Sequence, residues 1–323
     1  MFRVVFNINI GDNGLLTGTV DSPDKGVNGI PLSNVKVTND SVLFEVSAFL
    51  ICYKGRFSKD KNSIIGIWKE GGTSFSIILI RTNEKIEPKK PQAPKFLDTH
   101  KSSQHFDLYS SKSDKSVLDN IAKTLEKNYS RITENLQTKF TEKIQVYIYP
   151  DIKVLHNAIF LPDALDWTVG SASRNELKIV SPLNPGNVHT YESIMQAIVH
   201  ELVHTAVLNV RKERGLAGLP KWLNEGYAFY EAGQMTDNMR KSVKLNAQKE
   251  VPLSWIQLDT ASTVEFGNMD GYALSTTIIE FLVNTYGFNN LIKLIKAPEN
   301  IEDIYGTSKG DLEKQWLQYL RNE

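Results

Sequence analysis

The sequence has one cysteine, no long apolar run and no net charge, and each absence excludes a class of protein. Because Cys52 is the only cysteine among 323 residues, one chain can form neither an internal disulfide nor a cysteine-based zinc site. No run reaches the ~18 apolar residues that a membrane-spanning helix needs. Lys and Arg total 37, as do Asp and Glu, which gives no electrostatic reason to propose nucleic acid or an anionic membrane as a partner.

Residues 1–86 are predicted to form an all-β module. Short alternating apolar runs recur about every ten residues and are separated by turn clusters, which is typical of an antiparallel barrel or sandwich. Seven strands are predicted: Arg3–Ile10, Leu15–Val20, Val35–Thr38, Ser41–Val46, Ile51–Phe57, Ser63–Trp68 and Phe75–Arg81. The first residues alternate like a strand and lack the pattern of a secretory signal, so we expect none in this chain. A protein that starts inside a strand is unusual, and a natural start upstream of Met1 is one of two interpretations that stay open.

A linker and a second domain follow the β module. Residues 87–98 contain Pro88, Pro91 and Pro94 among several lysines, which indicates a semi-extended spacer. Residues 99–323 mix strands with helices, so this domain is predicted to be α+β. Its predicted elements are a helix over 115–137, strands at Lys143–Tyr149 and Glu176–Ser181, a buried helix at Tyr191–Lys212, a helix opened by Pro220, and helices at 272–286, 289–296 and 311–321.

The buried helix contains the motif H-E-L-V-H, from His200 to His204. Residues four apart share one face of a helix, so the two imidazoles can bind one metal ion. Glu201 lies beside such an ion rather than on it, as a general base that activates water should. Two hydrogen-bonded core histidines are the alternative interpretation of this motif.

A third ligand is predicted on the next helix. Glu225 lies 21 residues after His204, in the segment P-K-W-L-N-E-G-Y, and a loop of this length lets the second helix return beside the first. A catalytic zinc site needs three protein ligands and one open position, which His200, His204 and Glu225 would provide. Taken alone, Glu225 would more often be a solvated carboxylate at a helix start.

H-E-x-x-H followed by W-L-N-E-G resembles the gluzincin zinc metallopeptidases, and the region from about Phe106 to Leu320 resembles their peptidase MA-like domain. The resemblance implies a thermolysin-like fold, one Zn²⁺ per chain, His200, His204 and Glu225 as ligands, and Glu201 as the base. It also implies an edge strand that pairs with substrate, for which we predict Glu176–Val180; an ordinary edge strand without a substrate role is the alternative. The segment from Ser171 to Asn175 lacks the acidic residue that aminopeptidases of this class place there, which favours an endopeptidase.

Two further residues receive roles from the same resemblance. Tyr272 begins a predicted helix 47 residues after Glu225, where gluzincins carry a donor that stabilises the oxyanion; a packing tyrosine is the alternative. Glu231 could orient a metal-bound histidine, although a surface carboxylate is the simpler interpretation. The histidines outside the motif show no ligand spacing and receive no role.

The β module resembles the lipocalin-like module that precedes secreted bacterial hydrolases. The resemblance rests on L-T-G-T-V-D-S-P-D-K-G from Leu16, Y-K-G from Tyr53 and I-I-G-I-W from Ile64. It implies a secreted or cell-envelope protein if the natural chain begins upstream of Met1. The module shows no catalytic constellation, and its partner is unknown.

The sequence therefore predicts a zinc-dependent peptidase that acts on a peptide or protein substrate, with no nucleic-acid partner. Two alternatives stay open: a binding protein that keeps the metal site without turnover, and a zinc hydrolase that acts on a non-peptide substrate.

Overall fold

The computed structural model describes residues 3–10, 16–25, 27–46, 51–70, 73–84, 86, 93–159, 161–173, 175–211, 219–249 and 254–322. The chain divides into two compact units, one made mainly of residues 1–90 and the other of residues 91–210 and 219–323. Residues 87–92, which make up half of the predicted linker, lie outside the described residues. Leu97, at the end of that predicted segment, is buried in the core of the second unit.

The N-terminal unit contains two antiparallel sheets, with strand orders β1-β2-β3 and β4-β5-β6-β7-β8. Their strands are β1 (Val5–Ile10), β2 (Leu16–Ser22), β3 (Val27–Pro31), β4 (Asn34–Val37), β5 (Ser41–Val46), β6 (Ile51–Phe57), β7 (Ser63–Glu70) and β8 (Thr73–Ile80). Apolar residues alternate along these strands, so each sheet turns one face toward a shared core that includes Val20, Phe44, Tyr53 and Trp68.

The closed barrel allowed for by the sequence does not form, because no strand pair among the described residues joins the ends of either sheet. Of the two predicted arrangements, barrel or sandwich, two open sheets that share one core correspond to the sandwich. β3 was not predicted, since V-N-G-I-P contains glycine and proline, which are depleted in strands.

The second unit is built on a mixed five-stranded sheet of order β12-β13-β11-β10-β9. The strands are β9 (Thr99–Ser102), β10 (Phe106–Ser110), β11 (Ile144–Tyr149), β12 (Gly170–Ser173) and β13 (Glu176–Val180). The three inner strands run parallel, and β9 and β12 pair antiparallel at the two edges. Glu176–Val180 is therefore an inner strand rather than the predicted edge, which is formed by β12.

Eleven α-helices and two short 3-10 helices, Lys112–Val117 and Pro298–Asn300, accompany this sheet in the part of the unit that the structure describes. The α-helices are α1 (Leu118–Asn135), α2 (Ile152–Ala158), α3 (Tyr191–Val210), α4 (Lys221–Glu231), α5 (Asp237–Lys249), α6 (Trp255–Thr260), α7 (Thr263–Asn268), α8 (Gly271–Tyr286), α9 (Phe288–Lys296), α10 (Ile301–Tyr305) and α11 (Lys309–Asn322). No described helix is both long and apolar enough to cross a membrane.

Helix α3 lies at the centre of the second unit. It is apolar on most of its circumference, with Ile194, Leu202 and Val203 fully buried, and it contacts β12, β13, α1 and α4. A helix that is apolar all round is stable only when neighbours cover every face. The buried polar side chains of α3, His200 among them, are therefore held in a rigid, largely dry environment.

Candidate metal centre

Three potential ligand atoms converge between α3 and α4. Nε2 of His200 and Nε2 of His204 lie 2.9 Å apart. Each of these nitrogens is 3.4 Å from Oε2 of Glu225. Within the described part of the chain, these three residues are the one group of three or more histidine, cysteine, aspartate or glutamate side chains whose geometry could hold a metal ion. The structure thus brings together the three residues that the sequence predicted as ligands.

Both imidazoles are anchored through the ring nitrogen that faces away from Glu225. Nδ1 of His200 is 2.8 Å from Oε1 of Gln234, and Nδ1 of His204 is 3.2 Å from Oδ1 of Asn224. An amide oxygen can only accept a hydrogen bond, so each Nδ1 donates and each neutral ring presents an unprotonated Nε2. Gln234 and Asn224 therefore set the tautomer that metal binding requires.

The backbone after α4 explains how Gln234 reaches His200. Gly233 adopts a φ of 64°, in the left-handed region where helices commonly end at glycine. The following amide, of Gln234, donates to the carbonyl of Phe229 at 3.1 Å. This tight turn folds the chain back toward α3. Sequence reasoning missed Gln234 because a residue beyond a helix end carries no local signal of its distant contacts.

The residues fit a small divalent cation that prefers nitrogen and oxygen ligands. Tetrahedral zinc with bonds of ~2.0–2.1 Å separates neighbouring ligand atoms by about 3.3 Å, close to the spacings of this trio. Two unprotonated nitrogens and a carboxylate oxygen are all acceptors, so an intervening cation or proton is needed to make their approach favourable. The two imidazoles and one carboxylate form the donor set of a catalytic zinc site.

The close approach of the three side chains also shifts the pKa values of Glu225 and His204. Burial works to raise the pKa of the Glu225 carboxyl, but the charges and hydrogen bonds of His204 and His200 outweigh it and hold that pKa well below its usual range. Burial works to lower the pKa of His204, yet Glu225 and Asn224 raise it overall. Glu225 is thus held as a carboxylate, the form that binds a cation.

Glu201 follows His200 on α3, and its carboxyl group lies against the edge strand β12. A Cβ atom added to Gly170 would come within 2.5 Å of Oε1 of Glu201 and 2.9 Å of its Cδ. Only glycine leaves room there, so the backbone of β12 and the Glu201 carboxyl are in close contact. Gly170 carries no signal in the sequence, since G-S-A-S has no alternating apolar pattern.

The environment of Glu201 suits proton transfer near neutral pH. Burial raises the pKa of its carboxyl to about 7; His200 opposes this rise and the negative charge of Glu225 adds to it. A general base works best when its pKa lies near the operating pH. A bound cation would favour the carboxylate form and so lower this pKa.

Tyr272 lies close to this cluster at the start of α8. Its ring stacks on Phe229 with centroids 5.7 Å apart and meets Phe266 edge-on at 5.0 Å. Burial raises the pKa of its phenol, and Glu225 and Glu201 raise it further. The phenol therefore stays protonated at neutral pH and remains a hydrogen-bond donor.

Two glycines allow α8 to approach its neighbours α4 and α7 closely. A Cβ added to Gly226 would lie 2.7 Å from the backbone oxygen of Ser275, and one added to Gly271 would lie 2.5 Å from the oxygen of Phe266. Asp270, just before Gly271, has a φ of 56°, a left-handed conformation that costs free energy for a residue other than glycine. This strained turn places Tyr272 beside the helix that carries Glu225.

The structure corrects the roles considered for Glu231. Glu231 is buried and accepts hydrogen bonds from Arg131 and from Nδ2 of Asn135, the latter at 3.1 Å. It is therefore neither a surface carboxylate nor a partner of His200 or His204. Its partners on α1 lie about a hundred positions earlier, so the sequence pattern gives no sign of them.

The fold and the site together define a mixed α/β protein with a cluster of two histidines and one glutamate that could hold a metal ion. A search of curated proteins finds no match. The profile of the Peptidase MA superfamily matches residues 124–322, more than half of the chain, and the protein belongs to that superfamily. The matched region includes α3, α4 and α8, and membership indicates a metallopeptidase-like function.

Proposed function

We propose that the protein is a zinc-dependent peptidase whose metal ligands are His200, His204 and Glu225. The observation that carries this proposal is the convergence of three acceptor atoms, with both histidines anchored through Nδ1. A zinc ion held there would supply a Lewis acid that polarises the scissile carbonyl and activates water. The gluzincin resemblance of the two motifs and the superfamily match support the same assignment.

In this proposal, Glu201 is the general base. Its buried carboxyl accepts a proton from the attacking water and later delivers it to the leaving amine, a double use for which a pKa near 7 is well suited. Contact with Gly170 keeps the carboxyl on the β12 side of the site. Tyr272 donates from its phenol to the developing oxyanion, whose charge makes that hydrogen bond stronger in the transition state than in the bound substrate.

We further propose that the extended substrate backbone pairs with β12. This strand is the sheet edge beside Glu201, and β-strand addition at an exposed edge is a common way to hold a peptide. The described residues of β12 contain no acidic side chain that could hold a free amino terminus; Arg174 lies outside the described residues. This composition favours cleavage within a chain over removal of its first residue.

The test is hydrolysis of casein and of a mixed peptide library by the purified full-length chain, with and without a zinc chelator. The proposal predicts internal cleavage that the chelator abolishes and added zinc restores. Zinc binding without cleavage of either substrate would instead indicate a binding protein or a hydrolase with non-peptide substrates. Chelator-insensitive cleavage would contradict the metal mechanism.

A further inference from the structure

The outer face of the five-stranded sheet in the N-terminal unit exposes four isoleucines. Ile65 and Ile67 of β7 are 58% and 48% exposed, and Ile78 and Ile80 of β8 are 62% and 75% exposed. Ile65 pairs directly with Ile78 across the two strands. Same-face residues recur every ~7 Å along a strand and neighbouring strands lie ~4.8 Å apart, so the four side chains form one continuous patch.

Basic residues border this patch on the same face. In the strand register, Lys54 of β6 pairs with Ile67 and Arg56 pairs with Ile65. Lys69 follows Ile67 by two positions on β7, and all three basic side chains are exposed. The same-face positions of β6, β7 and β8 hold no acidic residue within the described part of these strands.

We propose that this isoleucine face, defined by Ile65, Ile67, Ile78 and Ile80 with Lys54, Arg56 and Lys69, binds the surface of an anionic phospholipid membrane. Exposed branched apolar side chains can enter the boundary between headgroups and acyl chains. Lysine and arginine beside them can lie along the apolar surface while their charged ends contact lipid phosphates. The strand alternation collects these basic residues on one side, although the whole chain has no net charge.

The positions of the charges favour a membrane over two other occupants. Face-to-face packing of two copies would place six basic side chains in one interface without an acidic partner among the same-face residues of β6, β7 and β8, which is unfavourable. A peptide strand added to the β8 edge would lie three strand spacings, about 14 Å, from β6, where it could not meet Lys54 or Arg56. A planar anionic surface contacts the apolar and the basic residues at once.

The test is co-sedimentation of the full chain with vesicles. We expect binding to vesicles of phosphatidylglycerol and phosphatidylcholine in equal parts, little binding to phosphatidylcholine alone, and weaker binding at about 0.5 M than at about 0.1 M salt. The double variant Lys54→Gln, Arg56→Gln should bind about 30-fold more weakly, since each basic residue at an anionic surface contributes a factor of about five. Lys123→Gln with Lys241→Gln, which removes two exposed charges of the other unit, should bind like the wild type.

The apolar part is tested with Ile65→Thr and Ile78→Thr together, which keep β-branched residues in the strands. Binding should fall about tenfold or more, whereas Ile256→Thr with Val264→Thr, two exposed positions of the other unit, should leave it unchanged. Circular dichroism and thermal unfolding establish that each variant folds. If the double variant does not fold, the single change Ile80→Thr at the end of β8 takes its place in the binding test.

Absence of wild-type binding, equal binding to both vesicle types, or equal losses in the matched variants would overturn the proposal. A dimer in light scattering that the two isoleucine substitutions dissociate would show that a second copy covers the face instead, and would also overturn it.

Discussion

The two units of the protein differ in which side chains they bury and which they expose. The second unit buries polar and ionisable groups, including His200, Glu231 and the carboxyl of Glu201. The N-terminal unit instead exposes isoleucines on β7 and β8, above a small core of seven fully buried apolar residues among those described. Soluble domains usually avoid both arrangements, because each costs free energy unless a partner compensates it.

The compensation differs between the two units. Glu231 is satisfied inside the protein by Arg131 and Asn135, so it needs no ligand. His200, His204 and Glu225 point acceptor atoms at one another, an arrangement that needs a proton or a cation between them, and we propose that the partner is a cation. No apolar side chain among the described residues of the N-terminal unit covers the isoleucine face, which points to a surface outside this unit. The difference shows that burial alone does not mark a functional site. A candidate site is marked instead by polar or apolar groups that have no compensating partner within the protein.

The largest effect on the second unit is expected for Glu201→Gln. The substitution keeps the shape of the side chain and removes no ligand, but the amide cannot accept the proton of water. Peptidase activity should fall by about 10²–10⁴-fold, the range for a lost general base, while zinc content measured by metal analysis stays unchanged.

Glu192→Gln is the matched control, because Glu192 is exposed on the first turn of the same helix. Its activity should equal that of the wild type. Near-normal turnover by the Glu201 variant would remove this residue from the mechanism.

A slightly smaller effect is expected for Tyr272→Phe. The change removes the phenolic hydroxyl and keeps the ring between Phe229 and Phe266, so kcat should fall by about 10²–10³-fold with KM, Tm and zinc content little changed. Tyr286→Phe, at the other end of α8, should behave like the wild type. If Tyr272 serves packing alone, the Phe variant keeps its rate and Tyr272→Ala loses about 3–5 kcal/mol of stability.

Gln234→Ala should affect metal binding more than folding. Without its amide oxygen, His200 is no longer fixed in the tautomer that presents Nε2, and the affinity for zinc should fall by about 10–100-fold. Competition with a chromogenic chelator measures this loss. Gln318→Ala, which removes an exposed glutamine from α11, is the control; equal affinities in the two variants would show that Gln234 does not support the site.

The smallest effect on the site is expected from deleting the N-terminal unit. Leu97 already belongs to the core of the second unit, so we propose that residues 93–323 fold alone. The fragment should bind zinc and cleave short peptides at rates close to those of the full chain, while losing vesicle binding. An insoluble or metal-free fragment would show that the two units depend on one another.

The sequence predicted those parts of the structure whose signals are local. The all-round apolar pattern of α3 and the fourfold spacing of His200 and His204 fix which side chains share one helix face. The edge of the sheet was predicted at β13 instead of β12. The sequence G-S-A-S of β12 has no alternating apolar residues, whereas E-L-K-I-V of β13 has them. Gln234 and the Arg131–Glu231 pair depend on contacts between segments far apart in the chain, which periodicity cannot reveal.

The central claim is that His200, His204 and Glu225 hold one zinc ion. Metal analysis of the purified full-length chain, after incubation with zinc and removal of the excess, tests it most directly when the wild type is compared with Glu225→Ala. The account predicts close to one zinc per wild-type chain and a much lower zinc content in the folded variant. A wild-type protein that binds no zinc, or a Glu225→Ala protein that binds it equally well, would contradict the account.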